Sequence, residues 1–178
     1  MNQLASKARD AEATQARILE AATAEFATHG LAGARIDVIA ERAESNKRMI
    51  YHYFGGKELL FQEVTAKAYL AIRAAEEALH LDQYEPIEAL EKLVSFTWNY
   101  YIDNPEFIPL INSVNRHGGK HLADSGALDV VRPKLRGVLS GILDRGVEQG
   151  LFYPNIDPVQ LNITIAGLGY YYLTNQHT

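Results

Sequence analysis

Lys47, Arg48, Tyr51, His52 and Tyr53 put two adjacent cations and three polar rings into residues 47–53. A short helix that only packed against a core would have no structural need for that combination. A helix inserted into the major groove of DNA does, because cations meet phosphates and side-chain edges meet bases. Ile50 and Phe54, interleaved with the polar set, supply the apolar side by which the protein would hold such a helix.

The elements that must position these groups flank them closely. Ile36, Ile39 and Ala40 repeat at helical spacing in a helix over 36–43, and the pattern breaks at Glu44-Ser45. Asn46 suits an N-cap, its side chain accepting from the free amides that open the next helix, over 46–53. Gly55-Gly56 ends that helix, and a longer one is expected from Lys57 to about Leu79. Upstream, Ile18, Ala22 and Phe26 stand four apart on one face of a helix expected from Thr14 to His29, closed by Gly30. The polar residues 1–13 are expected to fray.

IDVIAERA followed by NKRMIYHYFGGKELL resembles the DNA-binding segment of the TetR family of bacterial one-component regulators. The likeness covers about residues 14–61. Its most distinctive part is Tyr51 and Tyr53 ahead of Phe54, then Gly-Lys-Glu; the remainder matches only in length and helical character. The resemblance implies DNA contacts at Arg35, Lys47, Arg48, Met49, Tyr51, Tyr53 and Lys57. Arg48 is the expected guanine reader, since a guanidinium takes O6 and N7 together. Tyr51 and Tyr53 would hold phosphates, fixing register without carrying sequence. Met49 either touches a thymine methyl or packs, and His52 either meets DNA or sits at the domain boundary. Lys57 falls in a first turn, where the helix dipole disfavours a cation. A bound phosphate would remove that conflict; a solvated lysine is the alternative.

Two positions depart from the family pattern. The turn residue that is usually glycine is Glu44, at a cost of roughly 1 kcal/mol if its backbone is left-handed. The small hydroxyl residue that usually opens the second helix is Arg35, so its side-chain cap is lost although phosphate stays within reach.

Composition bounds the remaining possibilities. The 178-residue chain carries a net charge of −5, which looks wrong for a DNA binder. Residues 1–60, however, hold eight Lys/Arg and eight Asp/Glu, whereas residues 61–178 hold nine and fourteen. A neutral half can bind DNA if its cations cluster, because phosphate contacts act locally under screening. The absence of cysteine excludes a disulfide framework and any thiolate site, and fits a reducing cytoplasm. No run approaches the ~18 apolar residues of a membrane span, and residues 1–13 lack the apolar core of a signal peptide. A cytoplasmic protein with no membrane partner is expected. No cofactor or metal is expected either: His117 and His121 are four apart, but Gly118-Gly119 between them argues against a rigid pair.

Beyond residue 79 the pattern stays helical. A segment over 86–102 carries Leu90, Leu93, Val94 and Trp98 on one face, and Asn104-Pro105 reads as an N-cap and first-turn pair for a helix to Asn115. Another helix is expected over 120–131, one from Pro133 to Gln149, and a last one from Asp157-Pro158 to the chain end. With no strand pattern and no repeat, the expected fold is all-α, with about nine helices. An N-terminal three-helix bundle with a helix-turn-helix forms a DNA-binding domain over 1–56. A helical ligand-sensing and dimerisation domain covers 57–178. The last helix shows no stopping signal, and family members usually run longer, so a shortened C-terminus is one reading.

Aromatic density marks the expected effector pocket of that second domain. Trp98, Tyr101, Phe107 and Tyr170 would wall it, with Asn112, Asn115, Arg116 and His117 as polar anchors. Any one of these aromatics could equally serve a helical core. Leu135, Val138, Leu139 and Ile142 form a stripe expected at a dimer face, partnered by Ile165, Leu168 and Tyr172; Gly137 and Gly141 would permit close helix approach. The same stripe is expected to close the intramolecular core as well. The resemblance implies a homodimeric repressor on palindromic double-stranded DNA, released when a small-molecule effector moves the helix after Lys57. A transcriptional activator and a non-enzymatic helical interaction protein are the alternatives. No serine elbow, phosphate loop or spaced carboxylate pair suggests an enzyme.

Overall fold

The structure is a computed structural model and describes residues 2–176; the side chains of residues 2–8 and of Leu128, Val131, Arg132 and Leu135 lie outside the described set. The described residues form nine α-helices and one 3-10 turn, with no strand among them. In chain order these are α1 (Asn2–Gly33), α2 (Ile36–Arg42), α3 (Lys47–Phe54), α4 (Lys57–Glu77), the 3-10 turn (Leu81–Gln83), α5 (Pro86–Asp103), α6 (Phe107–Arg116), α7 (Lys120–Asp124), α8 (Ala127–Glu148) and α9 (Pro158–Thr174).

Two compact units share the chain without following its order. The first comprises residues 1–68 and 106–126, the second residues 69–105 and 127–178. Contacts thus carry the first unit beyond residue 56, because α6 packs on α1 rather than among the later helices.

Within the first unit, Ile18, Ala22 and Phe26 are fully buried on one face of α1, as their spacing predicts. The helix starts at Asn2 rather than Thr14, since residues 2–13 hold four Ala together with Leu, Gln, Lys, Arg and Glu, all good helix formers. Its regular geometry breaks at Gly30 (φ 64°, ψ 179°), as the sequence suggested, and one further turn follows to Gly33. Phe26 meets Phe61 of α4 edge to face, with ring centres 5.1 Å apart. Leu60, Phe61 and Val64 bury the first half of α4, and Leu110 and Val114 bury one side of α6.

The second unit is built on Leu81, Ala89, Leu93, Leu139 and Ile142, with Val138, Phe152 and Ile165 packed around them. Arg145 Nη2 donates to the carbonyls of Leu81 (3.2 Å) and Tyr84 (3.3 Å), tying α8 to the segment around the 3-10 turn. Gly146 is required here: a Cβ at that position would fall inside the Phe152 ring. A Cβ added at Gly137 would meet nothing within 4 Å, so close helix approach at that position is not used within the chain.

Three further boundaries differ from expectation. Asn104 closes α5 instead of opening α6: its Nδ2 donates to Tyr100 O at 2.8 Å, and α6 begins at Phe107. Pro133 opens no helix and lies inside α8, which starts at Ala127 after the left-handed Gly126. α9 starts as predicted, with Asp157 Oδ1 accepting from Val159 N (2.7 Å), but it does have a stop: Asn175 Nδ2 donates to Tyr171 O at 2.7 Å.

Candidate nucleic-acid interface

The α2–α3 pair forms the helix-turn-helix, and local chemistry fixes each end of α3. Asn46 is the N-cap, its Oδ1 accepting from Met49 N at 3.1 Å. Gly55 is the C-cap at φ 77°, with its N–H donating to Tyr51 O at 2.9 Å. A side chain at 55 would be left-handed and would also press on Leu59 Cδ1, 2.9 Å from the Cβ position. Asn46→Ala should lower folding stability by about 1 kcal/mol, read as a shift in urea midpoint at unchanged slope; an unmoved midpoint would refute the cap's contribution.

Between the helices, Ser45 N donates to Ala40 O at 2.9 Å, and Glu44 takes φ 48°. The position expected to want glycine is therefore left-handed and occupied by a carboxylate. Glu44→Gly should raise stability by about 1 kcal/mol, measured in the same titration, and a loss would show that the glutamate contributes something other than strain. Arg35 is the N-cap of α2 without a side-chain cap bond, as expected.

Two residues that the sequence reading missed hold this pair in place. Arg17 Nε, from α1, donates to Ala43 O in the turn at 3.1 Å. Glu25, 1% exposed, accepts from Arg35 N through Oε1 at 3.1 Å, and its Oε2 lies 3.6 Å from Arg42 Nη1. One buried carboxylate thus serves both ends of α2. The signal was present: Glu25 occupies the apolar face of α1 beside Phe26, where an acid needs partners to be tolerated.

With α3 so mounted, Ile50 is fully buried while Lys47 and Arg48 are exposed. Tyr51 is 55% exposed, His52 is exposed, and Met49, Tyr53 and Phe54 are half-buried. His52 and Tyr53 stack obliquely with centres 5.1 Å apart. Five of the seven expected DNA residues, 47, 48, 49, 51 and 53, therefore share one short helix whose cations face outward. The other two already have partners. Arg35 is bound bidentately by Asp37 (Nη2–Oδ2 2.8 Å, Nε–Oδ1 3.3 Å), and that contact holds the Asp37 carboxyl below its ordinary pKa. Lys57 Nζ donates to Ala32 O at 3.1 Å, so a carbonyl near the end of α1 relieves the dipole conflict at the start of α4.

The expected effector residues fall into different units. Trp98, Tyr101 and Tyr170 belong to the second; Phe107, Asn112, Asn115, Arg116 and His117 lie on α6 or at its end, in the first. His117 Nδ1 is 2.7 Å from Ser113 O, and its ring stands near Phe61 and His121. Of the expected dimer stripe, Leu139 and Ile142 are fully buried in the core of the second unit, and Val138 and Ile165 pack against it. Leu139 and Ile142 thus serve the intramolecular core, having no surface left to offer, whereas Val138 and Ile165 stay partly exposed. Leu168 and Tyr172 are 68% and 55% exposed, and Leu135 lies outside the described side chains.

Among the described residues no group of three His, Cys, Asp or Glu is placed to hold a metal ion, and no helix is long and apolar enough to cross a membrane. Residues 18–64 match the family described as bacterial regulatory proteins, tetR family, and residues 86–178 match the tetracyclin repressor-like C-terminal domain. The HTH-type transcriptional repressor NicS of Pseudomonas putida is 40% identical over 172 residues, covering 97% of this chain and 81% of its own. The HTH-type transcriptional repressor SCO4008 of Streptomyces coelicolor is 43% identical over 106 residues, covering 58% of this chain and 50% of its own. Among solved structures, the TetR family transcriptional regulator PfmR of Thermus thermophilus superposes with a TM-score of 0.71 at 25% identity, over 89% of this chain and 85% of its own. With its N-terminal and C-terminal parts each matched to a family model and its likeness to NicS running nearly end to end, the chain belongs to the TetR family of bacterial regulatory proteins.

Proposed function

We propose that this protein is an effector-responsive transcriptional repressor that binds palindromic operator DNA as a homodimer. The outward-facing cations of α3, mounted on a buried Ile50, carry the DNA-binding part of this reading. The repressor part is supported by NicS and SCO4008, both named as transcriptional repressors. Arg35, Lys47, Arg48, Met49, Tyr51, Tyr53 and Lys57 form the proposed DNA surface. Arg35 reaches phosphate by exchanging Asp37 for it, and Lys57 does so with the donors that Ala32 leaves over.

Dimerisation follows from size and surface. An eight-residue α3 is about 12 Å long and reads few base pairs, whereas two copies match half-sites one helical turn apart. α9 is apolar nearly all round yet leaves Ile163, Leu168 and Tyr171 well exposed, which suits a helix covered by a second copy. Effector control is a population shift. α4 contributes residues to both compact units, so a ligand that favours one setting of its second half biases the first.

Selection of bound sequences from random double-stranded DNA tests the reading. An inverted repeat should be enriched; failure to enrich one would remove the palindromic operator. Lys57→Ala should weaken binding to all sequences alike and reduce the salt slope by about 1, measured by titrating the selected operator at several salt concentrations.

A further inference from the structure

Asp37 is an acid where a DNA-facing surface should avoid one. Its side chain, 42% exposed in the first turn of α2, holds the 69% exposed Arg35 by a two-point contact of 2.8 and 3.3 Å. Arg35 does most to hold the Asp37 carboxyl low, and Lys47, at the start of α3, adds to the effect. In a helix-turn-helix the first helix crosses the phosphate backbone while the start of the second enters the major groove. An acid within reach of both Arg35 and Lys47 therefore lies between backbone and groove. Stability does not account for it, since an exposed ion pair contributes little. A first-turn carboxylate does favour a helix, but that role does not require it to occupy a cation of the proposed DNA surface.

The pair has two consequences before DNA arrives. Asp37 takes Nε and Nη2 of Arg35, an edge of the guanidinium that a phosphate would otherwise take. It also makes Arg35 a poor source of counterion release, because that charge is already neutralised. A phosphate that captures Arg35 leaves Asp37 bare beside a polyanion, a cost that falls only if the carboxylate finds a donor. Base edges in the major groove offer two: the N4 amine of cytosine and the N6 amine of adenine. Guanine O6 and thymine O4 are acceptors and repel it.

We propose that Asp37 is a specificity-determining residue that withholds Arg35 from phosphate until the amine of a cytosine or adenine donates to its carboxylate. This deepens, and rests on, the DNA-binding reading above. On the operator the exchange is complete, with Arg35 on phosphate and Asp37 on the base. On other sequences the pair stays closed, and this corner of the protein adds nothing to binding.

Asp37→Ala in the full chain tests this, with the operator selected by the wild type. Binding is titrated at several salt concentrations against that operator, against operators permuted one base pair at a time, and against random duplex. The wild type should show one position, separate from the one read by Arg48, where moving the amine to the opposite strand costs roughly fivefold or more. Asp37→Ala should abolish that preference and bind random duplex more tightly. Its salt slope on random duplex should steepen by about 1 per subunit, because Arg35 is then free to take any phosphate. Arg35→Ala should leave that slope as in the wild type, where the paired cation takes no phosphate. Asp37→Asn keeps the shape without the charge and should steepen the slope in the same way, which decides the matter if the alanine variant does not fold. An unchanged preference at every position, or an unchanged slope on random duplex, would overturn the proposal and leave the regulator reading in place. A wild type that binds no duplex at all would remove that reading, and this proposal with it.

Discussion

Arg48→Ala should weaken operator binding by about 1–3 kcal/mol, roughly 5- to 150-fold, and relax the preference at one base position. Arg48 is exposed on α3. Removing it should therefore leave the unfolding midpoint within about 0.5 kcal/mol of wild type, so the loss can be assigned to DNA rather than to folding. Competition binding against operators permuted one position at a time provides the measurement. An unchanged sequence preference, whatever happens to affinity, would move base reading away from Arg48 and reduce it to a phosphate contact.

The second large effect is on stability. Phe61→Ala should cost about 3–5 kcal/mol, a large share of the 5–15 kcal/mol typical of a whole domain. Phe61 is fully buried, meets Phe26 edge to face at 5.1 Å, and has the His121 ring 5.7 Å away. Truncation removes that packing and leaves a cavity among helices that cannot all close on it. Because Phe61 fixes the start of α4 to α1, operator affinity should fall along with stability even at temperatures where the variant is still folded. Denaturant unfolding followed by circular dichroism checks the first part; a loss below 1 kcal/mol would mean that the rings do not pack as described.

The helix-turn-helix could be read from the chain because its signals are local. Asn46 is a cap because an amide side chain beside free N–H groups has an immediate use. Glu44 stands out because one residue in a two-helix turn must take positive φ. Asp157 before Pro158 opens α9 for the same kind of reason. Asn104 misled because an asparagine amide can also donate backward to a carbonyl, and nothing nearby in sequence says which end it serves. Pro133 misled because a proline marks a helix start far more often than an interior position. Arg17 and Glu25 were missed for a different reason: their partners are 26 and 10 residues away, and only the tertiary approach of α1 to α2 brings them together. The packing of α6 against α1, which carries Phe107 to Arg116 into the first unit, is likewise invisible to any local pattern.

Arg17 and Glu25 grip backbone and the far end of α2, and neither touches the outward side chains of α3. Mounting and reading are thereby assigned to separate residues. Positions 47, 48 and 51 are open to exchange with little thermodynamic penalty, so a lineage could be re-addressed to a new DNA site by a few surface replacements while the scaffold beneath them stays as it is.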